Sequence, residues 1–281
     1  MLRLRDIQRR FDHAAPDFDD ADFVHAVTRD GMLKRLEPLL LQPETILDLG
    51  SATGATGRRL RQRFKRAHFV SLDLSRAMLG AARKHRRWFS RSTFVQANAG
   101  RLPFADAAFD MVVSNQLLPW TPDPQAVFEQ VSRVLKKDGV FAFATLGPDS
   151  LRELARAWAG IDDQAHVNPF PDMHDIGDGL VRAGLRDPVL DVDRLQVTYE
   201  TPDRLFADLT RAGARNAIAE RSRGLVGRGR FQAMTEALAS GRADGKIVLD
   251  LELVYGHCWG GGPRNDPMNY KVDADRIPLR G

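Results

Sequence analysis

The chain has 281 residues, 43% hydrophobic and 28% charged, with a net charge of +4 at pH 7 and a single cysteine, Cys258. That length suits one large α/β domain with insertions, and the balance is ordinary for a soluble globule. The composition excludes a disulfide framework or a cysteine metal site within the chain, so no metal is expected, and no run of about 18 apolar residues marks a membrane helix.

Residues 1–42 read as a helical arm, with Ile7, Phe11, Ala14, Phe23, Val24, Val27, Met32, Leu33, Leu36, Leu39 and Leu40 at helical spacing. Pro16 and the acidic residues Asp17, Asp19 and Asp20 divide it. The start, Met1-Leu2-Arg3-Leu4-Arg5-Asp6, has no apolar signal-peptide core, which suits the cytoplasm. Arg9-Arg10-Phe11-Asp12 is either a solvated face with one core aromatic or an arm that folds over a ligand site.

The remainder, 43–281, reads as strands alternating with helices, the pattern of a doubly wound, mostly parallel sheet. Strands are expected at 45–49, 68–72, 93–96, 109–114 and 140–145, then at 189–199 and 247–255. A helix covers Asp123 to Leu135, and Asp138-Gly139 reads as a turn before the fifth strand. Asp149 or Ser150 is the expected cap of a helix running to Trp158. A further helix spans Asp172 to Ala183. Lid insertions are expected at about 147–170 and 201–245, the second interrupted by the arginine-rich stretch 221–230. The tail from Gly260 reads as irregular.

The stretch Ile46-Leu47-Asp48-Leu49-Gly50-Ser51-Ala52-Thr53-Gly54 organises the rest. It is a buried strand, a small-residue turn and a helix start, so a ligand can lie against backbone and meet helical N–H groups. A dinucleotide site wants three glycines at fixed spacing, and Gly50, Ala52 and Ala55 match it poorly. The order of the following residues says more. Asp73 ends the second strand, Asn98 follows the third, Leu102-Pro103-Phe104 and Phe109-Asp110 come next, and Ser114-Asn115 ends the fourth.

That set resembles the class I S-adenosylmethionine-dependent methyltransferases over roughly residues 45–145. The resemblance implies a Rossmann-like fold and S-adenosyl-L-methionine as cofactor. It implies a cofactor site drawn from Asp48, Gly50, Ala52, Gly54, Asp73, Leu74, Asn98, Ala99, Ser114 and Asn115. Asp73 would accept from the ribose hydroxyls. Asn98 stands where the family usually has Asp, Ala52 where glycine is common, and Leu74 with Leu102 would flank the adenine. Asp48 would meet the amino end of the cofactor through solvent or cap the turn.

Segments outside that core narrow the resemblance. They are Thr145 to Leu154 with Ala157-Trp158, His166-Val167-Asn168, Asp172 to Asp178, Thr198-Tyr199, and the early Arg9-Arg10-Phe11 with Ala14-Ala15. Together they resemble the malonyl-acyl-carrier-protein O-methyltransferase family of biotin synthesis, except that Phe18 replaces a frequent Tyr. The resemblance implies methyl ester formation on the free carboxyl of a malonyl thioester, with acyl carrier protein as partner, no nucleic acid or membrane contact, and a monomer. A malonyl carboxylate is ionised near neutral pH, so no general base is needed. A guanidinium would bind it, with Arg152 first and Arg9 or Arg10 as alternatives. His174 either lines the pocket or caps a helix, and Trp120 and Trp158 would wall it. Arg211, Arg215, Arg221, Arg223, Arg228 and Arg230, or the basic helices at 58–66 and 83–87, would dock the acidic carrier. The alternatives are a relative modifying protein arginine in respiratory complex assembly, an RNA methyltransferase, and a non-catalytic cofactor-binding module.

Overall fold

The computed structural model describes residues 2–86, 90–216, 227–241 and 245–261. Arg87, Arg221, Arg223 and the tail beyond Gly261 lie outside the described residues. Seven strands form one sheet: β1 (Thr45–Leu49), β2 (His68–Asp73), β3 (Ser92–Gln96), β4 (Phe109–Asn115), β5 (Leu135–Leu146), β6 (Leu185–Tyr199) and β7 (Ile247–Gly260). Their order is β3-β2-β1-β4-β5-β7-β6. The first five run parallel, β7 lies antiparallel to β5, and β6 antiparallel to β7. The expected doubly wound, mostly parallel sheet is therefore present.

Alternation along each strand sends its side chains to two layers. Leu47, Leu49, Val112, Phe141 and Phe143 meet Val127, Phe128 and Val131 of α5 (Pro124–Val134) and Ile176 and Leu180 of α7 (Met173–Arg182). Ile46, Phe69, Met111, Val113 and Ala142 face Met32 and Leu36 of α2 (Phe23–Leu36) and Leu60 of α3 (Ala55–Arg63). A third cluster joins helices from the two segments read as insertions. Leu154 and Trp158 of α6 (Arg152–Ala159) pack with Leu205 of α8 (Pro202–Arg211), Met234 and Leu238 of α9 (Arg228–Ser240) and Ile247 and Leu249 of β7. A fourth seats the arm. Ala14 of α1 (Leu4–Ala14), Ala15 and Phe18 cover Met78 of α4 (Arg76–Lys84). Among the described residues no helix is long and apolar enough to cross a membrane.

Four local expectations are corrected. The arm stops being helical at Leu36, where Pro38 follows closely, and Leu40 is fully exposed. α5 runs straight into β5, which begins at Leu135. Asp138, at φ +61°, sits inside that strand where the register against β4 shifts, so it is a bulge and not a preceding turn. The cap of α6 is neither Asp149 nor Ser150 but Leu151, at φ +59° and without a side-chain bond. Asp149 pairs instead with Arg152 and Arg194, and the Ser150 hydroxyl bonds the backbone of Glu252. Last, β6 begins at Leu185 and β7 continues to Gly260, because edge strand β6 pairs with β7 along nearly its whole length.

Candidate active site

The order reverses between β1 and β4, and a crevice opens outside their carboxyl ends. The chain leaves β1 through Gly50 at φ +73° and enters α3 through Gly54 at φ +81°, angles open to glycine without steric cost. Ala52 is left-handed too, at φ +44°, which costs an L-residue about 1–2 kcal/mol. Two gains offset it. Its N–H donates to Asp73 Oδ2 at 2.8 Å, and its methyl packs with the arm cluster of Ala14, Phe18 and Met78.

Asp73 Oδ1 accepts from Ser75 N at 2.8 Å. Each carboxylate oxygen keeps a lone pair, so a vicinal diol can donate to both. Burial pushes this carboxyl up to about 6, against the pull of the Ser75 and Ala52 N–H groups, and Asp12 adds to the rise. The folded value lies above the unfolded one. The stability it contributes is therefore full at low pH and lost as pH rises through about 6. Diol binding needs the ionised form and runs the other way. The Kd for S-adenosyl-L-methionine is expected to rise about tenfold from pH 7 to pH 5. Calorimetry across that range checks it, and a flat profile would separate Asp73 from the ligand.

Leu74, Asn98, Ala99 and Asn115 line the same cleft as Gly50, Ala52 and Asp73. Asn98 Oδ1 accepts from Gly100 N at 3.0 Å. Asp48, Gly54, Ser114 and Leu102 do not line it. Asp48 is 1% exposed and accepts from Gly57 N at 3.0 Å, tying the end of β1 to the first turn of α3. Burial pushes its carboxyl up to about 7, with that N–H opposing. Leu4, Ile7 and Phe11 of the arm roof the cleft together with Phe18. Asp12 fastens the roof by accepting from Ser75 Oγ at 2.6 Å, and Thr53 Oγ1 donates to Asp19 Oδ1 at 2.6 Å. The cleft between these groups has a volume of about 80 Å³. The acceptor carboxylate, the left-handed turn and the apolar flanks fit the chemistry of S-adenosyl-L-methionine.

A larger cavity of about 510 Å³ adjoins the cleft under the lid, lined by residues such as Phe23, Leu154, Trp158, Tyr199, Phe206 and Phe231. Trp158 stacks on His166 with centroids 3.7 Å apart, and His166 Nε2 bonds Asp162 Oδ1 at 2.7 Å. Of the three arginines weighed for the acceptor carboxylate, only Arg10 lines this cavity, where its Nη2 donates to Asn216 O at 2.6 Å. Arg9 is exposed. Arg152 is 53% exposed, ion-paired with Asp149, and outside the lining. His174 is 81% exposed and paired with Asp172, far from a pocket role. Trp120 lines both spaces and meets Phe11 edge-on at 5.2 Å. Two further residues line both, His25 and Gln116, and sequence reasoning gave neither a role. No local pattern marks them: one is a lone histidine on a helix, the other follows the fourth strand.

Residues 47–143 match a family model described as methyltransferase domain. The chain is 43% identical over 261 residues to a malonyl-(acyl-carrier protein) O-methyltransferase of Laribacter hongkongensis, covering 90% of this chain and 88% of that protein. It is 39% identical over 264 residues to the protein of the same name from Gallionella capsiferriformans, covering 92% and 91%. Its fold resembles Haemonchus contortus phosphoethanolamine N-methyltransferase 2, solved in complex with S-adenosyl-L-methionine, with a TM-score of 0.59, 18% identity, and 94% and 61% of the two chains covered.

Proposed function

We infer the reaction from one premise: this chain belongs to the malonyl-acyl-carrier-protein O-methyltransferase family and is an S-adenosyl-L-methionine-dependent methyltransferase. The reaction is methylation of the free carboxyl of a malonyl thioester on acyl carrier protein, an early step of biotin synthesis. The observation that carries it is the adjacency of two spaces: a cleft with a buried diol acceptor opens on a larger, mostly apolar cavity with an arginine in its wall.

Asp73, the Gly50-to-Ala52 turn, Leu74, Asn98 and Ala99 would hold the cofactor, which when bound supplies an activated methyl group. The chain supplies alignment and dryness. A malonyl carboxylate already carries the electron pair for the new O–C bond, so no proton has to be removed. Walls such as Trp120, Trp158 and Phe23 exclude water, which strips the carboxylate of its hydration and restrains its position. Arg10 favours entry of that charge into an apolar space. Arg10→Ala is expected to raise KM for malonyl-acyl carrier protein about tenfold with a small change in kcat. If Arg152→Ala raised KM and Arg10→Ala did not, the attracting charge would be Arg152.

Position at the cavity favours the lid arginines over those of α3 as the dock for the acidic carrier, although Arg215 also donates to Phe206 O of its own chain. Arg61 of α3 lies over Phe69 and donates to Ser92, and Arg63 donates to Leu36 O and Leu39 O, so both serve their own chain. Arg215 lines the cavity and Arg211 ends α8. Intact-mass spectrometry of malonyl-acyl carrier protein, after incubation with the protein and S-adenosyl-L-methionine, tests the reading. Gain of one methyl, absent with acetyl-acyl carrier protein, is the expected result. No gain with cofactor binding intact would overturn the substrate.

A further inference from the structure

The cleft and the larger cavity share one wall, made of His25, Gln116 and Trp120. A methyl group passing from a ligand in one to an acceptor in the other crosses between these side chains. Two of them are polar, and each keeps a buried nitrogen without a partner among the described residues: Gln116 Nε2 and His25 Nδ1. An unpaired buried polar atom costs about 1–3 kcal/mol. Both atoms are shielded from the two spaces, so a third group completes them as the side chains turn toward the passage they line.

Gln116 carries a second cost. It is 6% exposed and sits at φ +60°, a left-handed angle that a long side chain adopts rarely. Its neighbours impose that angle. Gln116 N donates to Ala144 O at 2.8 Å, which holds the end of β4 against β5. Asn115 is fixed at both ends of its amide: Oδ1 accepts from Thr28 Oγ1 at 2.8 Å, and Nδ2 donates to His25 O at 2.9 Å. Asn115 thus clamps the backbone of α2 at His25 to the strand end that carries Gln116. The clamp thereby ties together the two backbone segments that carry these side chains.

The geometry points to Gln116 and His25 as the pair that holds the acceptor carboxylate at the passage, through the Gln116 side-chain N–H and an imidazole N–H. This rests on reading the larger cavity as the malonyl site. Neutral donors suit the position. A guanidinium there would draw electron density from the attacking oxygen and would face a cationic methyl donor. Burial lowers the His25 ring to about 4, with Asp22 opposing and Arg29 adding to the fall, so the ring is neutral at pH 7 and donates from one nitrogen. The cavity's guanidinium groups, Arg10 and Arg215, line the larger space but not the cleft, which leaves them on the carrier side of the passage. Attraction and final alignment are then separate tasks on separate residues.

Steady-state kinetics with malonyl-acyl carrier protein test the pair, with cofactor Kd by calorimetry and Tm measured on each variant. Gln116→Leu keeps the size and removes the amide. It is expected to lower kcat on the order of 30-fold, with KM, cofactor Kd and folding held within about threefold. Gln116→Glu sets a second carboxylate against the first and should lose more, on the order of 1,000-fold. His25→Phe should fall as far as Gln116→Leu, while His25→Gln, which restores an N–H donor, should recover most of the rate. If the wild type forms the methyl ester and both Gln116→Leu and His25→Phe keep kcat within about threefold, the pair does not hold the carboxylate and the methyl-transfer reading still stands. If His25→Gln fails to rescue and the variants lose cofactor affinity or Tm together with rate, the role is structural and the inference falls. If the wild type forms no methyl ester, the reading beneath it falls as well.

Discussion

Asp73→Ala is expected to weaken S-adenosyl-L-methionine binding by at least about 100-fold, because two hydrogen bonds to a charged acceptor, each worth roughly 1.5–3 kcal/mol, are lost together. The loss extends past the ligand. Ala52 N and Ser75 N both donate to this carboxylate, and without it the left-handed Ala52 has no bond to offset its strain. Asp73→Asn retains one acceptor oxygen and should lie between, near tenfold. Stability should move the other way: the carboxyl is pushed up by burial, so Asp73→Asn is expected to hold or raise Tm at pH 8 while it harms binding. Calorimetry and thermal melts read the two effects separately. Unchanged affinity in Asp73→Ala would remove this residue from the site.

Gly256→Ala is expected to destabilise the fold by about 3 kcal/mol, a Tm decrease on the order of 5–10 °C. Gly256 is the antiparallel partner of Phe143, and a Cβ there would stand 2.2 Å from the ring's Cζ. The ring cannot yield. Phe143 is fully buried and stacks on Phe141 at a centroid distance of 5.1 Å. The bare backbone at 256 is therefore part of the packing of the aromatic opposite it. Phe143→Leu frees space, so in the Gly256→Ala background it should cost less than in the wild type, or gain. Additive losses would show that the glycine acts through its backbone and not through the ring.

The parts of this molecule that sequence declares are those whose chemistry is local. Short apolar runs ending at Leu49, Asp73 and Asn115 gave the parallel strands, and small residues from Gly50 to Gly54 gave the turn between strand and helix. What escaped depends on distant partners. Asp138-Gly139 has the composition of a turn, yet pairing of Leu135 with Phe109 of β4 draws the strand back to Leu135 and leaves a bulge. Asp149 has the composition of a helix cap, yet Arg152 and Arg194 claim its carboxylate. Arg152 sits on the expected helix, but only the course of the chain decides that the arm's Arg10 enters the cavity and Arg152 does not. His25 and Gln116 are 91 positions apart in the chain, and no periodicity relates them.

The register of the last two strands has an evolutionary consequence. Tyr199 and Ile247 are direct partners, so everything from residue 200 to 246 leaves and re-enters the sheet at a single rung. The entropic cost of closing such an excursion grows with the logarithm of its length, about 0.6 kcal/mol for each doubling. α8 and α9, which line the larger cavity, belong to this excursion. The connections to these helices can change length at little cost to the pairing beneath, provided that residues such as Met234 and Leu238 still cover Ile247 and Leu249. The cleft at the other edge has no such freedom, since it is assembled from the ends of four separate strands. A scaffold divided in this way can change what it methylates far more readily than what it methylates with.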